Sequence, residues 1–572
     1  MATSSPPDLQ DRDRVLILVG VLLSLFLAAL DQTIVSTALP RIVEDLEGVR
    51  RYAWVATAYF LASTALVPVY GKLADTYARK RVVLGAVGLF LTGSMLCGLS
   101  GELGTLPVLG DGMNQLVWFR ALQGAGGAGL ISMTYIVIAD LFPPSERGRY
   151  QGLVGGVWGI ASVLGPLVGG LLTDHAGGWI PGVEGWRWVF YVNLPVGAVA
   201  LWFLLTRMPP LEPVGDEGRP DFFAAVLLLG GLTPLVLALQ LDKGRFPWAP
   251  GVAGADPAQP ESWVTLGMAA AGTALLVWFT RRSRRAESPI VDLRLFDNVV
   301  FRRANAGAFF FGAGFLSVVI FLPLFLVNVM GVSATRAGLA LVPFSMGLVF
   351  GSTAAGQLAS RVGHLRNQIV VGGALALVGL VLLARMDADV EYATITGYMV
   401  LCGLGFGPSL PLFTLAIQNS VDVRRVGQAT SAAQFFRQIG GTAGTAILGT
   451  VLATTLTGSF AELELPGEVA EASVDAERLA STGGGELPSR IRAALQEQAR
   501  TARAEGRPGE ATRLEERAEV EAERIGTEVR ATFTRATNRI YGLTALLVVV
   551  AIVLTLRMPE RRLRTTLDRE EA

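Results

Sequence analysis

Runs of about 18 to 28 apolar residues recur from one end of this sequence to the other, and a run of that length matches the hydrocarbon core of a bilayer. In that solvent every backbone polar group must be paired within the protein, which leaves helical bundles or closed barrels. The runs are helix-length and lack the alternation of outer-membrane strands, so an all-α integral membrane protein is expected. Composition agrees, with 51% of the 572 residues hydrophobic and 17% charged. Spans are expected near 15–38, 53–71, 82–100, 114–140, 150–173, 187–206, 222–241, 262–280, 304–329, 335–359, 368–386, 392–417, 427–457 and 538–557, about fourteen transmembrane helices in all.

Basic residues in the short connections set the orientation. Lys72, Arg79, Lys80 and Arg81, then Arg147 and Arg149, Arg281 to Arg285, Arg302 and Arg303, Arg361 and Arg366, Arg424 and Arg425, and Arg557 to Arg564 fall on one side, the cytoplasmic one by the positive-inside rule. The alternate connections, such as 101–112 and 174–185, carry almost no basic residues. Both termini are therefore expected in the cytoplasm, as a tail at 1–14 and another at 558–572. The first run has no small-residue cleavage site after it and reads as a retained span. The polar segment 458–537 falls outside by span counting. Leu514, Ala518, Ile525, Val529 and Phe533 recur there at helical spacing, as do Ile491, Leu495, Ala499 and Ala502 before a break at Gly506 to Gly509, so an external helical hairpin is expected.

Several function classes are disfavoured. A formal net charge of zero gives no electrostatic footprint for nucleic acid. Cys97 and Cys402 lie in separate apolar runs and His175 and His364 lie in connections, so neither a disulfide framework nor a metal site is expected. No nucleophile and base pair and no nucleotide-binding glycine loop stand out, which argues against an enzyme, a cofactor or ATP drive.

The sequence also repeats. "GKLADTYARKRVVLG" at Gly71 is echoed by "GQLASRVGHLRNQIVVG" at Gly356, with Gly71, Leu73, Ala74 and Arg81 matching Gly356, Leu358, Ala359 and Arg366 in register. Two related six-helix bundles at 15–206 and 304–557 are expected, joined by two additional spans in 222–280. Duplicated bundles of this kind place a substrate cavity at their interface.

Charge inside the spans is the sharpest functional signal. Arg120 is about 7 residues into a span entering from outside, and Asp31 about 7 residues from the outer end of another, so at 1.5 Å per residue both sit roughly 10 Å below the surface. A lone charge in hydrocarbon costs on the order of 3 kcal/mol or more, whereas an arginine and an aspartate facing a wet cavity offset each other. Asp31 is the one carboxylate well inside a span, so proton carriage falls to it. Arg437 in "AAQFFRQIGGTAG" lies about ten residues inside its span, placed either to attract an anion, to neutralise an acid or to hydrogen bond structurally. Phe309, Phe310, Phe311, Met346, Phe435 and Phe436 are candidate cavity aromatics, with lipid-facing packing the alternative. In "GIASVLGPLVGG", Gly159, Gly165, Gly169 and Gly170 strip one helix face for close approach of a neighbour and Pro166 bends the helix.

These segments resemble the major facilitator superfamily, and within it the fourteen-span drug/proton antiporter branch. "LDQTIVSTALP" from Leu30 resembles the branch's first-span signature, "GKLADTYARKR" the superfamily's loop motif and "RALQGAGGAG" from Arg120 the fourth-span arginine motif. "GIASVLGPLVGG" from Gly159 is similar to the antiporter motif of the fifth span, and "WRWVFYVNLPVG" from Trp186 to the start of the sixth. Thr76 and Ala78 depart from the loop motif, which usually has a basic residue and a glycine there. The resemblance implies that Asp75 caps the N-terminus of the span beginning at Gly427, while Asp140 is a candidate partner for Arg79. It implies a monomeric, proton-driven exporter of small amphiphiles in the cytoplasmic membrane of a bacterium, coupled through Asp31 and Arg120. Export of a lipid or cell-envelope precursor is the alternative. A receptor or scaffold using the external hairpin is the alternative from another class, and it would not need the intramembrane charges.

Overall fold

The computed structural model describes residues 10–46, 51–107, 109–180, 183–212, 221–241, 260–332, 339–461, 487–560 and 562–563. Among them no strand occurs. In chain order the α-helices are α1 (Asp11–Asp45), α2 (Tyr52–Thr76), α3 (Arg79–Gly98), α4 (Gly112–Leu141), α5 (Pro144–His175), α6 (Trp188–Tyr191), α7 (Asn193–Arg207), α8 (Phe222–Leu241) and α9 (Pro260–Arg285). They continue as α10 (Val299–Asn328), α11 (Val342–Val362), α12 (Leu365–Leu383), α13 (Tyr392–Phe406), α14 (Ser409–Ser420), α15 (Val426–Ala461), α16 (Leu487–Ala504) and α17 (Pro508–Leu556).

Eleven helical stretches among the described residues are long and apolar enough to cross a membrane. Helices α8, α9 and α11 also occupy positions where spans are read from the sequence but are not among those eleven; α9 closes on Arg282, Arg284 and Arg285. Two expected spans are interrupted. Between α6 and α7 the ring of Pro195 leaves the Tyr191 carbonyl without its helical donor, and between α13 and α14 Pro408 does the same to Leu404.

Helices α1 to α7 pack around shared apolar cores, and α10 to α15 with the end of α17 pack around another. Helices α8 and α9 lie against each other and against α2. The halves touch where the repeated segments begin. A Cβ on Gly71 would lie 2.0 Å from Ser431 Oγ and 2.7 Å from the Gly427 carbonyl oxygen, and one on Gly356 2.1 Å from the Gly148 carbonyl oxygen. Arg147, read from sequence as a loop charge, is buried, and its guanidinium donates to the carbonyls of Ala139 (2.7 Å) and Phe142 (2.9 Å). It thereby satisfies acceptors left free at the end of α4.

The described part of 458–537 contains a helical pair, α16 and the start of α17, turning at Gly506 (φ +78°). Ile491, Leu495 and Ala499 face inward, as do Ala518, Ile525 and Val529; residues 462–486 lie outside the described set. The sequence reading separates this hairpin from the last span. In the structure α17 runs through both without a break, because no proline or glycine lies between Gly526 and Gly542 to end the helix.

The motif in α5 needs a correction. Its four glycines do not share one face: Gly165 and Gly169 approach Thr33 and Thr37 of α1, Gly159 approaches Val349 of α11, and Gly170 has nothing within 4 Å. Six residues from 159 to 165 turn the helix about 240°, so the two positions look at different neighbours.

Candidate functional site

Asp31 and Arg120 meet as sequence depth suggests, with Arg120 Nη1 2.6 Å from Asp31 Oδ2 and both side chains buried. The pair belongs to a larger network. Gln123, one turn beyond Arg120 on α4, donates to Asp31 Oδ1 at 2.7 Å and accepts from Arg120 Nη1 at 2.7 Å. Asn193, at the start of α7, donates to Asp31 Oδ1 at 3.4 Å and to Ser94 Oγ at 3.0 Å. Arg120 Nε donates to the Val55 carbonyl, and its guanidinium carbon lies 4.5 Å from the centroid of the Tyr59 ring. Two helices, α4 and α7, thus supply donors to one carboxylate, and α2 and α3 hold those donors in turn. In a low-dielectric interior an ionised acid is tolerable only when so many donors converge on it.

The network sits within the first half and does not face the cavity between the halves. That cavity, of about 110 Å³, is walled by Phe60, Trp158, Phe311 and Phe315, with Gln32, Ser63, Ser409, Arg437 and Gln438 among its polar lining. Gln32, the residue after Asp31, therefore faces the cavity while Asp31 turns inward, as successive residues 100° apart on a helix must. Arg437 lines the cavity, as does Phe311. Phe309 and Phe435 do not: Phe309 meets Phe310 edge to face, Phe435 packs against apolar clusters of the first half and of α8, and Met346 is exposed.

At the cavity wall and beyond it the halves are joined by polar contacts. Thr64 Oγ1 donates to Gln438 Oε1 at 3.0 Å, and Gln151 Nε2 to Gln418 Oε1 at 2.9 Å. Gln418 in turn donates to Thr430 Oγ1 at 3.0 Å. At the arginine-rich end Asp75 accepts from the backbone N–H groups of Gly427 (3.1 Å) and Gln428 (2.9 Å), capping α15 across the interface. Arg79 lies 3.8 Å from Asp75 and donates through Nε to Asp140 at 2.8 Å. Arg81 is exposed, and Lys80 Nζ donates to the Leu205 carbonyl. Ala78, where the loop motif usually has glycine, has φ −49° and needs no left-handed backbone; at the equivalent place in the repeat Gly363 has φ +73° and ends α11.

At the opposite end Arg187 fastens several connections. It donates to the carbonyls of Gly98 and Ser100 at 2.8 Å each and pairs with Glu102 at 2.9 Å and Glu184 at 2.5 Å. The Arg187 hydrogen bond holds the Glu184 carboxyl below the usual range.

Gln123, Asn193 and Ser94 escape a sequence reading that looks for charge. The signal for Gln123 is its spacing of three from Arg120; Asn193 and Ser94 have none.

A family model described as Major Facilitator Superfamily matches residues 21–445. The multidrug transporter MdtP of Bacillus subtilis is 36% identical over 439 residues, 77% of this chain and 75% of that protein. Multidrug resistance protein 3 of the same organism is 35% identical over 441 residues, 77% of this chain and 80% of that protein. Among solved structures, a bacterial homologue of the iron transporter ferroportin in its outward-facing state has a TM-score of 0.55 at 15% identity, over 96% of this chain and 100% of that chain, a likeness of fold.

Proposed function

We propose, from the premise that this chain belongs to the major facilitator superfamily, that it is a proton-coupled exporter of amphiphilic small molecules across the cytoplasmic membrane. It works as an antiporter with fourteen spans, both termini in the cytoplasm and 458–537 outside. Similarity to multidrug transporters over three quarters of the chain supports export. The observation that carries proton coupling is the buried Asp31, held by Arg120 and Gln123 of α4 and Asn193 of α7. Ionised, it satisfies donors from α4 and α7. Protonated, it gives up the charge that balances Arg120, and the packing of α1 against α4 that the pair supports becomes less favourable by a few kcal/mol at most. A shift of that size reverses the populations of two states close in energy. Proton entry supplies roughly 2.3 kcal/mol per 100 mV and about 1.4 kcal/mol per pH unit.

The test is proton movement coupled to substrate in liposomes bearing an imposed pH gradient. Asp31→Asn, which retains the shape and loses the charge, should abolish pH-driven efflux while substrate still binds. Coupling at the wild-type rate in that variant would make the network structural and send the proton elsewhere. Arg120→Lys should also fail, because an ammonium cannot reproduce the guanidinium's contacts to Asp31, Gln123 and the Val55 carbonyl together.

A further inference from the structure

The cavity between the halves carries one formal charge, and it is positive. Among its lining residues Arg437 is the sole charged side chain; the rest are aromatic, aliphatic, glycine, hydroxyl and amide groups. No described carboxylate forms an ion pair with Arg437, whose recorded partner is the neutral Gln434. Gln434 is itself held by donation to Thr414 Oγ1, which turns its amide oxygen toward Arg437 and leaves other guanidinium N–H groups for the cavity. Asp31, adjacent to the lining residue Gln32, is sealed behind Arg120, Gln123 and Asn193.

A second hollow of about 80 Å³ adjoins the first. Phe60, Thr64 and Thr442 line both. Beyond them its walls are Leu61 of α2, Ile439 and Ala443 of α15, and Leu232 and Leu235 of α8. It is an apolar pocket between the halves, roofed by the first of the two additional helices.

We propose that the two hollows form one binding site for an anionic amphiphile, with its carboxylate or other anionic head on Arg437 and its hydrocarbon tail in the pocket under α8. The proposal rests on the export reading and names its substrate class. A planar guanidinium offers an anionic head two parallel donors. A quaternary ammonium meets like charge in a partly desolvated space, with no carboxylate in the lining to balance it. The tail leaves water for the Leu232, Leu235 and Ile439 wall, so affinity rises with chain length. Helix α8 thereby becomes part of the recognition surface and not merely a connection between the halves.

The test measures binding separately from transport. Radiolabelled decanoate, decyltrimethylammonium and decanol are titrated onto the full chain in nanodiscs, with empty discs subtracted. Decanoate should bind roughly tenfold more tightly than the ammonium, the size of one charge-assisted contact. Arg437→Gln should erase that preference, and Arg437→Lys, which keeps the charge, should preserve most of it. Leu232→Trp, which fills the pocket, should weaken decanoate and leave butyrate unchanged. Equal or tighter binding of the ammonium by the wild-type protein, or an intact preference in a normally folded Arg437→Gln, overturns the proposal. Efflux in liposomes keeps the two readings apart. Export confined to cations would refute this inference and leave export standing, whereas selective decanoate binding with no movement of any probe would do the reverse.

Discussion

At Gly71 and at Gly356 the same repeated segment brings the two halves together, but the contacts differ in kind. Around Gly71 the neighbours are Ser431 and the start of α15, and Asp75, four residues on, accepts two backbone N–H groups from that helix N-terminus. Around Gly356 the neighbour is backbone, the Gly148 carbonyl, and the residue matching Asp75 is Ser360, whose hydroxyl accepts one N–H from Arg149 at 3.3 Å. The partner of Arg79 in the first segment is Asp140 at the end of α4; at the matching position in the second, His364 lies 3.0 Å from Glu560 beyond α17. The two matching segments share a close backbone approach and differ in whether a charge crosses between the halves. One contact carries a charge that can respond to its electrostatic surroundings, and the other is steric.

The largest effect should come from the steric contact. Gly356→Val puts branched carbon against a carbonyl that cannot move without its helix, so α5 and α11 should separate at this end. Spin labels at Arg149 and Arg361 should report a longer distance, with transport lost. An unchanged distance would mean that this contact is not a tight one. Asp75→Asn comes next. It removes a charge that caps α15 across the interface, and charge-assisted hydrogen bonds contribute about 1.5 to 3 kcal/mol, so the closed arrangement should become about tenfold or more less populated. Labels at Arg81 and Arg424 would read this, and an Asn variant as closed as the wild type would place Asp75 among passive residues. Gly71→Ala should fall below Gly356→Ala, since its nearest obstacle is the Ser431 hydroxyl, which can rotate, though Ser431 Cβ at 2.6 Å and the Gly427 carbonyl at 2.7 Å limit relief. The reverse order would make α2 against α15 the stiffer seam. Ser360→Ala should be the smallest, within about 0.5 kcal/mol, because across the seam it loses one exposed neutral hydrogen bond and within α11 only a local one to the Gly356 carbonyl. Transport at wild-type level is expected, and a loss like that of Asp75→Asn would erase the distinction drawn here.

How far the site was legible follows from the physics of each residue. Asp31 and Arg120 could be matched because charge is conspicuous in an apolar run and a fixed rise per residue converts sequence position into depth. The contact of Asp75 with the start of α15 came through resemblance and not through spacing. Gln123 was within reach by its three-residue offset from Arg120. Asn193 was not, because an amide at the start of a helix carries no sign of what it faces. The aromatic lining shows the same limit: Phe309, Phe311 and Phe315 lie on one helix, yet only the last two line the cavity.

Read alone, the residues lead to a helical membrane bundle and to the runs that become helices, and they suggest two related halves and a common depth for Asp31 and Arg120. These follow from hydrophobic length, periodicity and repetition, which are local. That Asp31 turns away from the cavity while Gln32 faces it, that the glycines of α5 serve two neighbours, and that α8 roofs a pocket beside Arg437 emerge once the helices are packed. Each depends on how a helix is rotated about its own axis. That rotation is set by packing against helices far away in sequence, so no single segment contains it.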